Sequence, residues 1–400
     1  MEAAVGVQAG TGETGIGLTY ADRGYELLFP GDVSRLSREE LEGLAVEVTD
    51  VLDEVYRRRP ELTAERVRQL IDDVESRDVH LFALRERGKA VVATIAFIKL
   101  KPLSKDSPIT VYEAGRAAKR NDSPPRLATD LIYAAFVWAA SHLDGDYVVA
   151  ETRVACREPG RPYNGRMLKR VLQHEQFIPA HAVYSHYVAQ TEAEPFVWSC
   201  AAIDPEAWRK EVAQQTIYLP KDEESEIFAD MLAESRVPVA VEYGVPPEGV
   251  GRLPGQFREL VAPSPMDESL YVLTDHESLS RPIVKEVPSV TRSGGSQASI
   301  GLSDRLFVEE DIVERPDAPR VLHALYQEGF ALAGWAPSQH RYGRLALVLT
   351  RPGTVPAERI TVARPDLSAL EDLPKLAATH RFLTRVFSRR PSPELREASF

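Results

Sequence analysis

Apolar residues return every third or fourth position across residues 32–56, where Leu36, Leu41, Leu44, Val48, Val51, Leu52 and Val55 mark one face of a helix. An apolar run over 25–29 predicts a strand before it, and 63–75 predicts a second helix with Thr63 as its N-cap. Strands follow at 80–86 and 90–100, and Arg87-Gly88-Lys89 between them reads as a hairpin turn. A further strand is predicted at 109–118, then a polar, proline-bearing loop to Arg126. A long apolar helix over 127–143, a buried strand over 147–156, a short helix over 164–174 and strands over 177–189 and 195–202 complete the first half. This alternation predicts an α/β (α+β) fold, a mixed sheet with helices on both faces.

After Asp204 the pattern partly restarts. A helix is predicted over 223–234, strands over 237–243 and 269–273, and a flexible loop over 282–297 around Ser293-Gly294-Gly295-Ser296. A strand over 298–308, a helix over 318–328 and a hairpin over 331–350 follow. Two helix-to-strand junctions echo each other: Leu172, Glu175 and Phe177 match Leu325, Glu328 and Phe330 in step. Such self-similarity predicts two related domains in tandem. The expected segments are a flexible leader over 1–20, a first domain over 21–204, a second over 205–386 and a tail over 387–400.

Composition narrows the class. A chain of 400 residues suggests two or three domains. No stretch reaches the roughly 18 uncharged apolar residues that span a bilayer, so no membrane partner is expected. Residues 1–20 lack the basic start and apolar block of a secretory signal, and the expected address is the cytoplasm. Two cysteines, Cys156 and Cys200, are too few for a disulfide scaffold. A net charge of −12 argues against broad nucleic-acid binding, which requires neutralised phosphates. No P-loop, zincin, C-x-x-C or G-x-S-x-G signature occurs, and the histidines are scattered, so no metal is expected.

Leu325-Tyr326-Gln327-Glu328-Gly329-Phe330 resembles the helix-to-strand junction near the end of GNAT acetyltransferases, and the element order over 25–202 is similar to that family's. Residues 298–350 resemble a degenerate second copy. The resemblance implies two GNAT-like domains in tandem, the second degenerate, and an N-acyltransferase. The donor would be a phosphopantetheine thioester, coenzyme A or an acyl carrier protein, and the acceptor a small-molecule amine. Glu113-Ala114-Gly115-Arg116 is similar to a motif of relatives that use acyl carrier proteins. The family's phosphate-binding loop corresponds to Arg120-Asn121-Asp122-Ser123-Pro124-Pro125-Arg126. Its glycines are absent here, and Pro124 and Pro125 have no N–H to donate.

Phosphate contacts then fall to Arg116, Lys119, Arg120, Ser123 and Arg126, unless this is a solvated basic loop. A second basic run, from Arg153 through Arg157, Arg161, Arg166 and Lys169 to Arg170, would flank the donor, or be an ordinary charged helix surface. The resemblance implies that the fourth and fifth strands splay and that backbone amides at Thr152, Arg153 and Val154 hold the oxyanion. Glu151, interrupting the apolar strand there, is the first candidate base, and Glu113 the second; each is otherwise an arginine's partner. The family's acidic Tyr is absent from the first domain, leaving Tyr163, His174, Tyr184 and His186 as substitutes. Two other readings stay open: an aminoacyl-tRNA-dependent transferase with tandem domains, and a non-catalytic binding protein on the same scaffold. The acyl group, the acceptor and the oligomeric state are not encoded legibly.

Overall fold

The structure is a computed structural model. It describes residues 20–56, 63–100, 107–124, 126–156, 166–173, 177–187, 192–244, 270–274, 283–287, 299–301, 303–352, 354–356, 361–389 and 392–394. The described residues fall into two compact units. One comprises Met1–Lys99 and Tyr112–Asp144, the other Leu100–Val111, Gly145–Arg292 and Gln297–Phe400. Residues 145–204, expected with the first domain, thus cluster with the C-terminal half.

The N-terminal unit is an antiparallel sheet of β1 (Tyr25–Leu28), β2 (Val79–Glu86), β3 (Val91–Lys99) and β4 (Val111–Lys119) in sequential order. Helices α1 (Arg38–Tyr56) and α2 (Thr63–Glu75) bury Leu44, Val48, Val51, Leu70 and Ile71 against Leu81 and Ala83. Residue 82 points the other way, as strand alternation requires. There Phe82 meets Phe97 and Trp138 edge-on, Trp138 belonging to α3 (Leu127–His142). Helices therefore cover both faces. The predicted helix over 32–56 is instead a one-turn helix, Pro30–Val33, followed by α1. The cause is a capping box: Ser37 N donates to Glu40 Oε2 (2.8 Å) and Glu40 N to Ser37 Oγ (3.3 Å), so the helix starts afresh at Ser37.

In the C-terminal unit β5 (Tyr147–Arg153), α4 (Arg166–Gln173), β6 (Ile178–Tyr187) and β7 (Glu192–Ala202) form a strand–helix–strand–strand module. Next come α5 (Pro205–Val212), β8 (Thr216–Pro220), α6 (Glu223–Glu234) and β9 (Ala240–Gly244), with β8 and β9 paired in parallel. Strands β10 (Leu270–Thr274) and β11 (Ile283–Val287) form an antiparallel pair. Then β12 (Ser303–Val308), a single turn α7 (Glu310–Val313), α8 (Ala318–Gln327), β13 (Ala331–Pro337) and β14 (Leu345–Pro352) lead to α9 (Ala377–Ser388). The unit's sheet runs β5-β7-β6-β13-β14-β12-β10-β11.

That order is a palindrome about the β6–β13 contact. β5-β7-β6 and β12-β14-β13 are each a first, third and second strand, all antiparallel. The irregularities match too. Counted in step from Phe177 and Phe330, the bulge between Pro179 and His181 falls where the one between Leu332 and Gly334 does. His181 and Gly334, equivalent by that count, face each other across the seam. A Cβ on Gly334 would lie 2.0 Å from the Ala180 carbonyl oxygen, and its φ is +138°, so glycine alone permits this approach. Trp335 Nε1 donates to the Pro179 carbonyl (2.9 Å) and locks the seam.

Several expectations are corrected. The loop over 282–297 contains β11, whose β-branched Ile283, Val284 and Val287 favour extended backbone. Within the strand expected over 298–308, Ser299–Gly301 pairs with β6 and Ser303–Val308 is β12, paired with β14. Helix α5 went unpredicted although Asp204 accepts from Glu206 N (3.2 Å) and Ala207 N (3.0 Å) as a regular N-cap before Pro205. α9 also went unpredicted, and it reaches past 387, where the tail was expected. Residues 1–19 of the leader lie outside the described residues.

Gly334→Ala is expected to destabilise the C-terminal unit by about 3 kcal/mol or more, since backbone must move to admit the methyl. Urea unfolding followed by tryptophan fluorescence measures this; an unchanged midpoint would contradict the seam.

Candidate functional site

In the N-terminal unit the feature of interest is a bulge in β4. Its register with β3 slips between Ala96↔Gly115 and Thr94↔Ala118, leaving Arg116 and Ala117 opposite one residue. Arg116 takes φ +52°, which costs about 1–2 kcal/mol for a residue with a Cβ. Its compensation is an ion pair, Arg116 Nη2 to Asp73 Oδ2 at 2.6 Å, with both side chains almost fully buried (11% and 6% exposed). Gln69 Nε2 holds the other oxygen of Asp73 (2.8 Å). α2 thus pins the bulge. Glu113 is buried, and its carboxylate lies against Gly115: a Cβ there would meet Glu113 Oε1 at 3.1 Å. Bulges re-aim a strand and are common beside active sites.

The loop after β4 is tied inward. Lys119 Nζ donates to the carbonyls of Arg120 (2.6 Å) and Ser123 (2.8 Å). Arg120 donates to Val91 O (2.9 Å) and pairs with Glu54 (3.0 Å), which also accepts from Asn121 N (3.1 Å). Leu127 N, at the start of α3, is satisfied by Pro124 O (3.1 Å). Arg116, Lys119 and Arg120 therefore all have internal partners, Ser123 is half-buried, and Arg126 is exposed at the N-cap of α3.

In the C-terminal unit, Thr110 N donates to Asp146 Oδ2 (2.8 Å) and Asp146 N to Thr110 O (2.9 Å), fixing the start of β5. Glu151 is half-buried and in register with Trp198. Thr152 is buried. Arg153 pairs with Glu194 (3.3 Å; 12% and 3% exposed) and lies 5.7 Å over the Phe196 ring. Val154 N donates to Pro195 O (2.9 Å), so this amide is occupied within the sheet. Tyr184, one substitute acid, is buried and donates to Phe387 O (3.1 Å). Tyr163 and His174 lie outside the described residues, as does the side chain of His186. Tyr326 is half-buried with its hydroxyl inside, and that burial, followed by the charge of Glu224, pushes the hydroxyl well above the usual phenol range.

Two ionisable groups were missed. His80 sits 5.7 Å from Tyr112 and 5.5 Å from Trp138, and burial, then the charge of Lys99, lowers its pKa. His181 is buried at the seam, stacked 5.6 Å from Trp198, with Nδ1 3.3 Å from Trp335 O. Burial, then Arg305, pushes its pKa down to about 3, so it is neutral. Both stand in strands beside apolar residues, where sequence offers only a lone His.

No family model matches the chain, and no curated protein does. Among solved structures it is similar to a putative GNAT-family acetyltransferase from Desulfovibrio desulfuricans, with 12% identity, 45% of this chain and 99% of that chain covered, and a TM-score of 0.32. It is also similar to the ribosomal-protein-S5-alanine acetyltransferase of Vibrio fischeri (11% identity, 45% and 94% covered, TM-score 0.34). A third is FeeM, an N-acyl amino acid synthase from uncultured soil microbes (13%, 46% and 93%, TM-score 0.30). At such scores the likenesses carry no argument about activity.

Asp73→Asn removes the charge paired with the buried Arg116 guanidinium, so a loss of about 3 kcal/mol is expected. Urea unfolding of this variant checks it; a loss near zero would mean the bulge does not depend on α2.

Proposed function

We propose that this chain is an N-acyltransferase of GNAT type that moves an acyl group from a phosphopantetheine thioester to a small-molecule amine. The observation that carries the reading is the chain order of elements: a strand, two helices, three antiparallel strands of which the last is bulged, a helix, then strand, helix and two strands. The repeat of the strand–helix–strand–strand module supports the tandem arrangement. Beside the second module the parallel pair β10 and β12 is in register from Leu270↔Arg305 to Leu273↔Val308, and donor binding is assigned to the first.

In the C-terminal unit Glu151 is the base that removes a proton from the ammonium. The amine nitrogen then attacks the thioester carbonyl carbon. The oxyanion is met by the Arg153 amide, since the register that gives Val154 N to Pro195 O also turns the Thr152 amide toward Val197 within the sheet. The C–S bond breaks as the C–N bond stands, and the thiolate takes a proton from Tyr163 or His174. In the N-terminal unit Glu113 is the second candidate base, and Arg126 is the loop cation that an exposed phosphate would reach.

The loop does not fit a pyrophosphate as coenzyme A presents it. Two prolines lack N–H groups, and the cations beside them are paired or capping carbonyls. This favours an acyl carrier protein, whose protein surface supplies affinity, over coenzyme A. It equally favours a non-catalytic binding protein. An aminoacyl-tRNA donor remains the further alternative.

Offering acyl-CoA, acyl carrier protein and aminoacyl-tRNA separately, with a panel of amines, and detecting the amide by mass spectrometry tests the reading. Amide from a thioester donor is expected, with kcat/KM reduced about 100-fold in Glu151→Gln. Donor binding without amide from any amine would mean a binding protein instead.

A further inference from the structure

β12 ends at Val308, and the next residues, Glu309 and Glu310, are both buried (0% and 9% exposed). They face the turn joining β13 to β14, residues 338–344. Gln339 N donates to Glu309 Oε2 (3.1 Å), Ser338 Oγ donates to Glu310 Oε2, and His340 N donates to Ser338 Oγ (3.1 Å). Glu309 Oε1 is buried with no donor to accept from, and the two carboxyl groups lie within hydrogen-bonding reach of each other. Two buried carboxylates in contact do not both ionise readily. The oxygen without a donor is where a proton belongs.

The outer end of the same turn grips the start of β5. Gly343 N donates to Tyr147 Oη (2.9 Å), Tyr342 Oη donates to Asp204 O (3.0 Å), and Arg344 donates to Glu211 O. Leu345 N donates to Gln215 Oε1 (2.8 Å), and Gln215 Nε2 to Leu345 O (3.1 Å). Gly343 has φ +71°, and a Cβ on it would meet Glu211 Cβ at 2.2 Å. The turn is therefore fitted closely.

We propose that Glu309 and Glu310 share one proton that latches the 338–344 turn, so that losing it unseats the turn and slackens its hold on β5 through Tyr147. Burial first, then the charge of Glu310, raises Glu309 from 4.5 to about 8, while the bonds from Ser338 and Gln339 act in the opposite direction and lose. Other charges near the pair are Asp311 and Glu314 on its own segment, and His340, Arg341 and Arg344 on the turn, where Arg344 pairs with Glu314 (3.2 Å). Burial, then the opposing Arg344, then Glu310, leaves Glu314 raised as well. α7 packs on β8, β10 and β14, which bring Tyr218, Tyr271 (its side chain outside the described residues) and, at the far end, Arg351; α5 brings Glu211. A carboxyl whose folded pKa is raised stabilises the seated turn fully below about 4.5 and loses that contribution as pH rises through about 8.

Hydrogen exchange of the full chain at pH 6.5 and 9, corrected for intrinsic rates, tests the latch. Peptides covering 338–345 and 147–153 are expected to open about thirtyfold more readily at pH 9, one proton's linkage acting over the roughly 1.5 pH units between 6.5 and the transition near 8. Glu309→Gln is expected to keep both peptides protected at both pH values. Glu310→Gln removes the like charge, so the step is expected to move to lower pH; this variant carries the test if Glu309→Gln does not fold. No step in the wild type, or a step of equal size and midpoint in both variants, would overturn the proposal.

Discussion

The C-terminal unit depends on one close approach, the Gly334 Cα against the carbonyl of Ala180. Two modules with the same strand order meet there through equivalent bulges, and any side chain at 334 would part them. Once joined, β6 and β13 make one sheet from two small ones. That sheet buries Trp335, Phe196 and Leu349, with α9 closing over β6 by Phe387. Neither module's apolar face would be covered to this extent alone. The seam therefore comes before the site, because β5, which carries Glu151, is the outer strand of the first module.

A second constraint decides what the site can recognise. Cations that a phosphate would need are tied to carboxylates or carbonyls within each unit: Arg116 to Asp73, Arg120 to Glu54, Arg153 to Glu194, and Lys119 to its own loop. Buried pairs such as the first and third are disrupted at high cost when one partner is diverted. A donor recognised mainly through its pyrophosphate would have to divert them. A carrier recognised over a protein surface would not.

Much of the fold was legible. The helical stripes of α1 and α2, the Gly88 hairpin, and the matched Phe177 and Phe330 junctions all follow from local spacing. The capping box at Ser37 and the Asp204-Pro205 start of α5 are also written in the sequence, but as polar signals at single positions that apolar periodicity does not register. The site was less legible for a physical reason. Whether an arginine is free depends on partners dozens of residues away, and nothing near Arg116 or Arg120 announces Asp73 or Glu54. The same holds for Glu309, whose protonation is set by a turn brought across the sheet by β13 and β14.

On the proposed reading, donor recognition does not rest on a pyrophosphate cradle. The sharpest test compares kcat/KM for one acyl group carried on pantetheine, on coenzyme A and on a carrier protein. Pantetheine and coenzyme A are expected to lie within a fewfold of each other, with the carrier protein well above both. A preference for coenzyme A over pantetheine of about 100-fold, near 2.7 kcal/mol of nucleotide contact, would contradict it.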